Sequence, residues 1–193
     1  MKKKKIILIL IGVILIVIDQ TAKFLLSGKN FTLIANTLDI EYSQNEGIAF
    51  EIFNGDLLVI MAVTAVIIGF LIKLIINYFN KEKYLYATSL ILVVSGGISN
   101  LIDRLLRGYV VDYLNITLFS FPIFNLADML ITIGVLILFV LVVRDLIVPE
   151  RKRKAKKEQK LKKKEEAMKV KVNELEQKLD SKIEKVVKEE KKK

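Results

Sequence analysis

The chain has 193 residues, of which 53% are hydrophobic and 27% charged, with a net charge of +10. The charge is segregated: residues 1–148 hold 12 Lys and Arg against 11 Asp and Glu, whereas residues 149–193 hold 19 against 10. An evenly mixed soluble domain is thereby excluded, and the absence of Cys and His removes thiol nucleophiles, Ser-His-Asp triads, disulfides and His- or Cys-based zinc sites.

Four apolar stretches follow in order. Residues 6–18 carry no charge, and the stretch continues through Asp19 and Lys23 to Leu26. No small-residue cleavage site follows it, so it reads as a retained span rather than a signal peptide. The next segment, 27–56, is acidic, with Lys29 against Asp39, Glu41, Glu46, Glu51 and Asp56. Within it Leu38, Ile40 and Tyr42 alternate with Asp39, Glu41 and Ser43, the period-two pattern of a half-exposed strand, so a small sheet is expected at the membrane surface.

Residues 57–72 form the second span, running past a snorkelling Lys73 to Ile76. Residues 84–102 and 129–143 are the third and fourth. Each reaches the ~20 apolar residues that cross a ~30 Å hydrocarbon core once its ends are included. The expected fold is therefore an all-α membrane protein of four transmembrane helices, with residues 1–148 as the embedded domain and 149–193 as a basic Lys/Glu-rich tail. Lys2 to Lys5, Lys81, Lys83 and the tail place both termini in the cytoplasm and turn the 27–56 and 103–126 connections outward. In the tail Met168, Val172, Leu175, Leu179, Ile183 and Val186 recur at helical spacing. That spacing suits an amphipathic or coiled-coil helix, and a solvated charged helix near anionic headgroups is the simplest reading.

A charge within a membrane helix costs roughly 2.5–3.5 kcal/mol at the helix centre, so it is rarely idle. Asp19 and Lys23 lie one turn apart on the same face, which suits either an ion pair that packs helices or a direct part in chemistry. Asp103 and Arg104 close the third span, where they read as supporting groups or as markers of the water boundary. Glycines 96 and 97 permit close helix approach, and Asn100 can hydrogen-bond between helices. Asn45 and Gly47 follow the expected strand in NEGIAF. Asp128 reads either as a first-turn acid capped by Asn125 or as a reactive group.

Asp112 and Asp128 bracket the uncharged segment YLNITLFSFPIFNLA, which can fold back with a turn at Pro122 and bring the two carboxyls together. Two poorly solvated carboxylates cannot both ionise cheaply, so one keeps its proton and the pair titrates as a unit. The ionised member can then take a proton from water while the other donates to a carbonyl oxygen. That is amide hydrolysis without His, Cys or metal, a chemistry the composition leaves open.

DQTAK (Asp19 to Lys23), NEGIAF (Asn45 to Phe50), GGISNLIDR (Gly96 to Arg104), VVDY with Asp112 and FNLAD with Asp128 together resemble, in this order, the motifs of the bacterial lipoprotein signal peptidase family, signal peptidase II. The likeness covers about residues 10–147. It implies an integral-membrane aspartic peptidase with Asp112 and Asp128 as catalytic dyad. Asp19, Lys23, Asn45, Gly47, Asn100, Asp103, Arg104, Asn125 and Ala127 fall on the supporting and substrate-binding positions. It further implies a diacylglyceryl-modified prolipoprotein substrate cut just before the lipidated Cys, no cofactor, and inhibition by cyclic peptides such as globomycin. A small outward β-cradle, a mobile loop over the site and a monomer in the bacterial cytoplasmic membrane complete the expectation. Ser99 departs from the family's usual Gly, for which altered packing without loss of activity is expected.

Two other classes compete. A proton-coupled carrier needs polar groups strung across the bilayer, whereas here they cluster in the outer half. A membrane scaffold would act through the basic tail on acidic lipid or nucleic acid. It predicts loss of function on deleting 151–193 and none from Asp112→Asn; no nucleic-acid partner is expected.

Overall fold

A computed structural model describes residues 2–47, 56–148, 157–161, 164 and 168. The chain divides into two compact units, Met1–Val142 and Val143–Lys193, and the site lies in the first. Four helices are long and apolar enough to cross a membrane: α1 (Lys2–Leu26), α2 (Leu57–Asn80), α3 (Tyr84–Arg107) and α4 (Leu126–Ile147). At about 1.5 Å per residue each exceeds a ~30 Å hydrocarbon core. With three short strands they form a mostly helical membrane protein carrying a small antiparallel sheet.

The least apolar helix is the central one. Over its most apolar stretch α3 is 56% buried, against 11% for α1 and α2. Lipid tolerates Leu and Ile on the outside, so the polar and small residues of α3 turn inward, where protein partners satisfy them. Contacts along α3 give the helix directions. Gly12 of α1 lies against Ile91 and Ser95, and further along Gln20 meets Ser99 and Lys23 meets Asn100, so α1 and α3 run parallel. α4 runs the other way: Ala127 packs on Gly96, Gly134 on Ser89, and the Tyr86 hydroxyl donates to Leu141 O. A Cβ at Gly134 would lie 2.6 Å from Ser89 O, and one at Gly96 would collide with Ala127 O. Both glycines are needed for the α3–α4 approach. Gly97 is not, since a Cβ there meets only Ile68 at 3.5 Å.

The strands β1 (Asn30–Ile34), β2 (Leu38–Asn45) and β3 (Val110–Ile116) form one sheet in that order, antiparallel throughout. The alternating segment thus supplies β2, with Ile40 buried and Glu41 exposed. Ile40, Val111 and Tyr113 pack with Ala22, Leu26 and Leu126, which docks the sheet on the end of α1 and the start of α4. Ser43 pairs across the ladder with Asp112.

After β3 the chain returns to α4 as expected, but it turns at Thr117 and Leu118 rather than at Pro122. Thr117 N donates to Thr37 O, which ends the ladder there. Pro122 has no N–H to contribute, and pairing resumes only at Phe124, whose N–H and C=O both bond Leu114. The tail positions Val172 to Val186 and the motif residues Ile48 to Phe50 lie outside the described residues.

Candidate active site

The N-terminus of α4 carries the second carboxylate, and its position follows from capping. The first N–H groups of a helix have no partner within it. Here Leu126 N donates to the Tyr113 hydroxyl, Ala127 N to Asp19 Oδ1 and Asp128 N to Asn125 Oδ1. Asn125 N in turn donates to Asp128 Oδ2 at 3.2 Å. This is a reciprocal capping box, so the structural reading of Asp128 holds. It leaves the other oxygen, Oδ1, to accept from Asn100 Nδ2 at 2.8 Å.

Asp112 comes from the middle of β3 and is 98% buried by surface area (2% exposed). Its Oδ2 accepts from Asn45 Nδ2 at 2.9 Å and its Oδ1 from Asn125 Nδ2 at 2.6 Å. Asn125 therefore stands between the carboxyls, donating to Asp112 and holding Asp128 through its main chain and amide oxygen. Burial pushes Asp112 up to about 6, opposed by the Asn45 hydrogen bond and reinforced by the charge of Asp128. Gly47 fixes Asn45: its backbone sits at φ 82°, a left-handed conformation that favours glycine, and its N–H donates to Asn45 Oδ1.

Beneath this pair lies a second, wholly buried charge cluster. Asp19, Lys23 and Asp103 are each 0% exposed. Lys23 Nζ reaches Asp19 Oδ2 at 2.9 Å, Asp103 Oδ2 at 3.0 Å and Asn100 Oδ1 at 2.7 Å, so all three ammonium protons have acceptors. Asp19 also accepts from Ser99 Oγ at 2.6 Å and from Ala127 N. Asp103 accepts from Val111 N at 3.1 Å and pairs with Arg107. The cluster links α1, α3, β3 and α4, and places Val111 and Ala127 beside their neighbours Asp112 and Asp128. Asp103 is therefore no marker of the water boundary.

The residues picked from the sequence converge with few exceptions. Asn100 joins both systems, accepting from Lys23 and donating to Asp128. Arg104 acts electrostatically on Asp128, Asp112 and Asp103. Its Nη2 lies 3.7 Å from the place of a Cβ on Gly47, and its Nε is buried with no hydrogen-bond partner among the described residues. Ala127 contributes its main chain and its small size under Gly96. Three contributors escape a sequence reading. Gln20 donates to Ser99 and Asp103, Tyr113 accepts from the α4 terminus, and Arg107 pairs with Asp103. Gln20 lies inside DQTAK and Arg107 one turn after Asp103, so both had a local signal. Tyr113 likewise lies inside VVDY, but nothing local shows that its hydroxyl meets the α4 terminus, 13 residues on in a different element. Burial pushes this phenol up to about 12, with the charge of Asp19 adding to the effect.

Among the described residues no group of three or more Asp, Glu, His or Cys is arranged to hold a metal ion. The geometry offers two carboxylates bridged by an amide, one of them raised by burial to about 6. Such a pair can divide general-base and general-acid duties.

A family model described as signal peptidase II matches residues 11–144. The lipoprotein signal peptidase of Halalkalibacterium halodurans is 37% identical over 161 residues, covering 78% of this chain and 96% of that protein. That of Brevibacillus brevis is 40% identical over 142 residues, covering 70% and 94%. Among solved structures, a bacterial membrane enzyme determined by the in meso method at 1.9 Å resolution matches with TM-score 0.63 and 30% identity, covering 72% of this chain and 93% of that one.

Proposed function

The chain belongs to the signal peptidase II family, whose members cleave signal peptides from prolipoproteins, and from that premise we propose that it does so as an aspartic peptidase with Asp112 and Asp128 as its dyad. The observation that carries this reading is the bridge through Asn125, which fixes two carboxyls from β3 and α4 relative to each other.

Asp112, raised by burial, holds a proton and donates it to the scissile carbonyl oxygen. Asp128, at the positive end of α4, takes a proton from water as the hydroxide adds to the carbonyl carbon. Collapse of the gem-diol intermediate breaks the C–N bond: the proton now on Asp128 passes to the leaving amine, and a hydroxyl proton of the diol returns to Asp112, which restores the starting pair. Arg104, whose charge acts on Asp112 and Asp128, serves in this reading to offset the negative charge that develops on the carbonyl oxygen. Asn45 and Asn125 hold Asp112 throughout, and the Asp19–Lys23–Asp103 cluster holds the two backbones that carry the dyad.

The substrate of this reading is a prolipoprotein whose Cys carries diacylglycerol, cut just before that residue. The acyl chains remain in the bilayer and the bond is presented at its outer face, with both termini of the enzyme cytoplasmic. Residues 1–148 suffice for the chemistry, and residues 149–193 form a separate basic tail.

The test is cleavage of a diacylglyceryl-modified prolipoprotein by purified protein in lipid. Asp112→Asn and Asp128→Asn should each lower kcat at least about 10³-fold, since an acid–base group is commonly worth 10²–10⁴, with unchanged insertion and thermal stability no worse than a few degrees. Near-normal cutting by either variant removes the dyad. Deletion of 151–193 should leave the rate unchanged, which separates this reading from a tail-dependent scaffold.

A further inference from the structure

Beside Asp112 an open depression of about 360 Å³ extends over the sheet, lined by Ser43, Gln44, Asn45, Glu46, Asp112, Pro122 and Ile123. Its walls come from β2 and the return segment before α4, not from the membrane-spanning helices. Gln44 donates to the Tyr42 hydroxyl and Asn45 to Asp112. Glu46, exposed at the end of β2, takes part in no ion pair among the described residues. Among the described residues that line it there are two acids and no base. On the peptidase reading the apolar signal peptide belongs among the helices, which leaves the polar depression to the chain that follows the cut.

Resting on the peptidase reading above, we propose that Glu46 is a specificity-determining residue that selects for a cationic side chain in the first few positions after the lipidated Cys. A Lys or Arg there meets the Glu46 carboxylate, and no described lining residue carries positive charge. An acidic residue meets Glu46 and the ionised fraction of Asp112, and is repelled. The contact is solvent-exposed, and exposed ion pairs contribute modestly. The discrimination is therefore a few-fold rather than absolute, and salt weakens it because solvent-exposed charges are screened.

The experiment compares two diacylglyceryl-modified prolipoproteins that differ only in bearing Lys or Glu at the second and third positions after the Cys. Full-length enzyme in lipid nanodiscs should cut the Lys form with roughly two- to fivefold higher kcat/KM at low salt, the range set by exposed pairs. Glu46→Gln should bring the ratio near one and Glu46→Lys should invert it, while raised salt should compress it. Equal rates for both substrates with the wild-type enzyme, or a preference that survives Glu46→Gln, overturn the assignment of Glu46 while leaving the peptidase reading intact. Cutting by Asp112→Asn at the wild-type rate overturns both.

Discussion

Replacing Lys23 with Met deletes the buried cation that joins Asp19 to Asp103. Two carboxylates, each 0% exposed, then lose ion-pair distances of 2.9 and 3.0 Å, and Asn100 loses a 2.7 Å donor. Asp103 keeps Arg107, whose side chain is 25% exposed, but Asp19 keeps only neutral donors, Ser99 Oγ and Ala127 N. Removing one partner of a buried pair typically costs 3–5 kcal/mol, and Lys23→Met should fall in that range. Asp19→Asn should cost less, about 1–2 kcal/mol, because an amide oxygen still accepts one N–H and Lys23 retains Asp103. The double variant carries one buried carboxylate fewer than Lys23→Met alone. It should be no less stable than that variant, giving a coupling of about 1–3 kcal/mol. Reversible unfolding of the purified protein in mixed micelles, followed by tyrosine fluorescence, reads the cycle. Additivity within about 0.5 kcal/mol would refute the idea that the three charges act as one unit.

Other outcomes follow from the same coordinates. Gly96→Ala should cost at least about 2 kcal/mol and disturb Ala127 and hence Asp128, since its Cβ meets the Ala127 main chain. Gly97→Ala should stay within about 0.5 kcal/mol, and thermal melts of the two variants decide. Ser99→Gly should cost about 1 kcal/mol through loss of the 2.6 Å bond to Asp19, with kcat little changed, as unfolding and cleavage assays will show. The pH profile of kcat/KM should be bell-shaped. Because Asp112 must be protonated to act as the acid, activity falls as pH rises past its value of about 6. Asn45→Ala removes a bond that favours the ionised form, so the basic limb should move to higher pH; a downward shift or none contradicts the assignment.

Four spans, a strand over Leu38 to Tyr42 and a small set of misplaced charges were legible in the residues alone. Hydrophobic runs and period-two alternation are local properties, and a carboxylate in an apolar run is costly wherever the chain goes. The pairing of Asp19 with Lys23 was likewise local, a single helical turn. What joins Asp112 to Asp128 was not. The capping box over Asn125 and Asp128 is written in the sequence, but the same asparagine also donates to a strand 13 positions earlier, and only packing makes it a bridge. The turn fell at Thr117 instead of Pro122 because Thr117 bonds Thr37, a residue of the other hairpin.

The sequence by itself determined the membrane class, the number of crossings and which side chains had to be explained. Tertiary structure alone decided that Asp103 lies fully buried on Lys23 rather than at the water boundary, that Gly96 and not Gly97 admits α4, and that the Tyr113 hydroxyl caps that helix. The physical reason is common to all three. Each depends on which backbone comes within hydrogen-bond or van der Waals reach from another element, and no pattern within one segment encodes the surface it will meet.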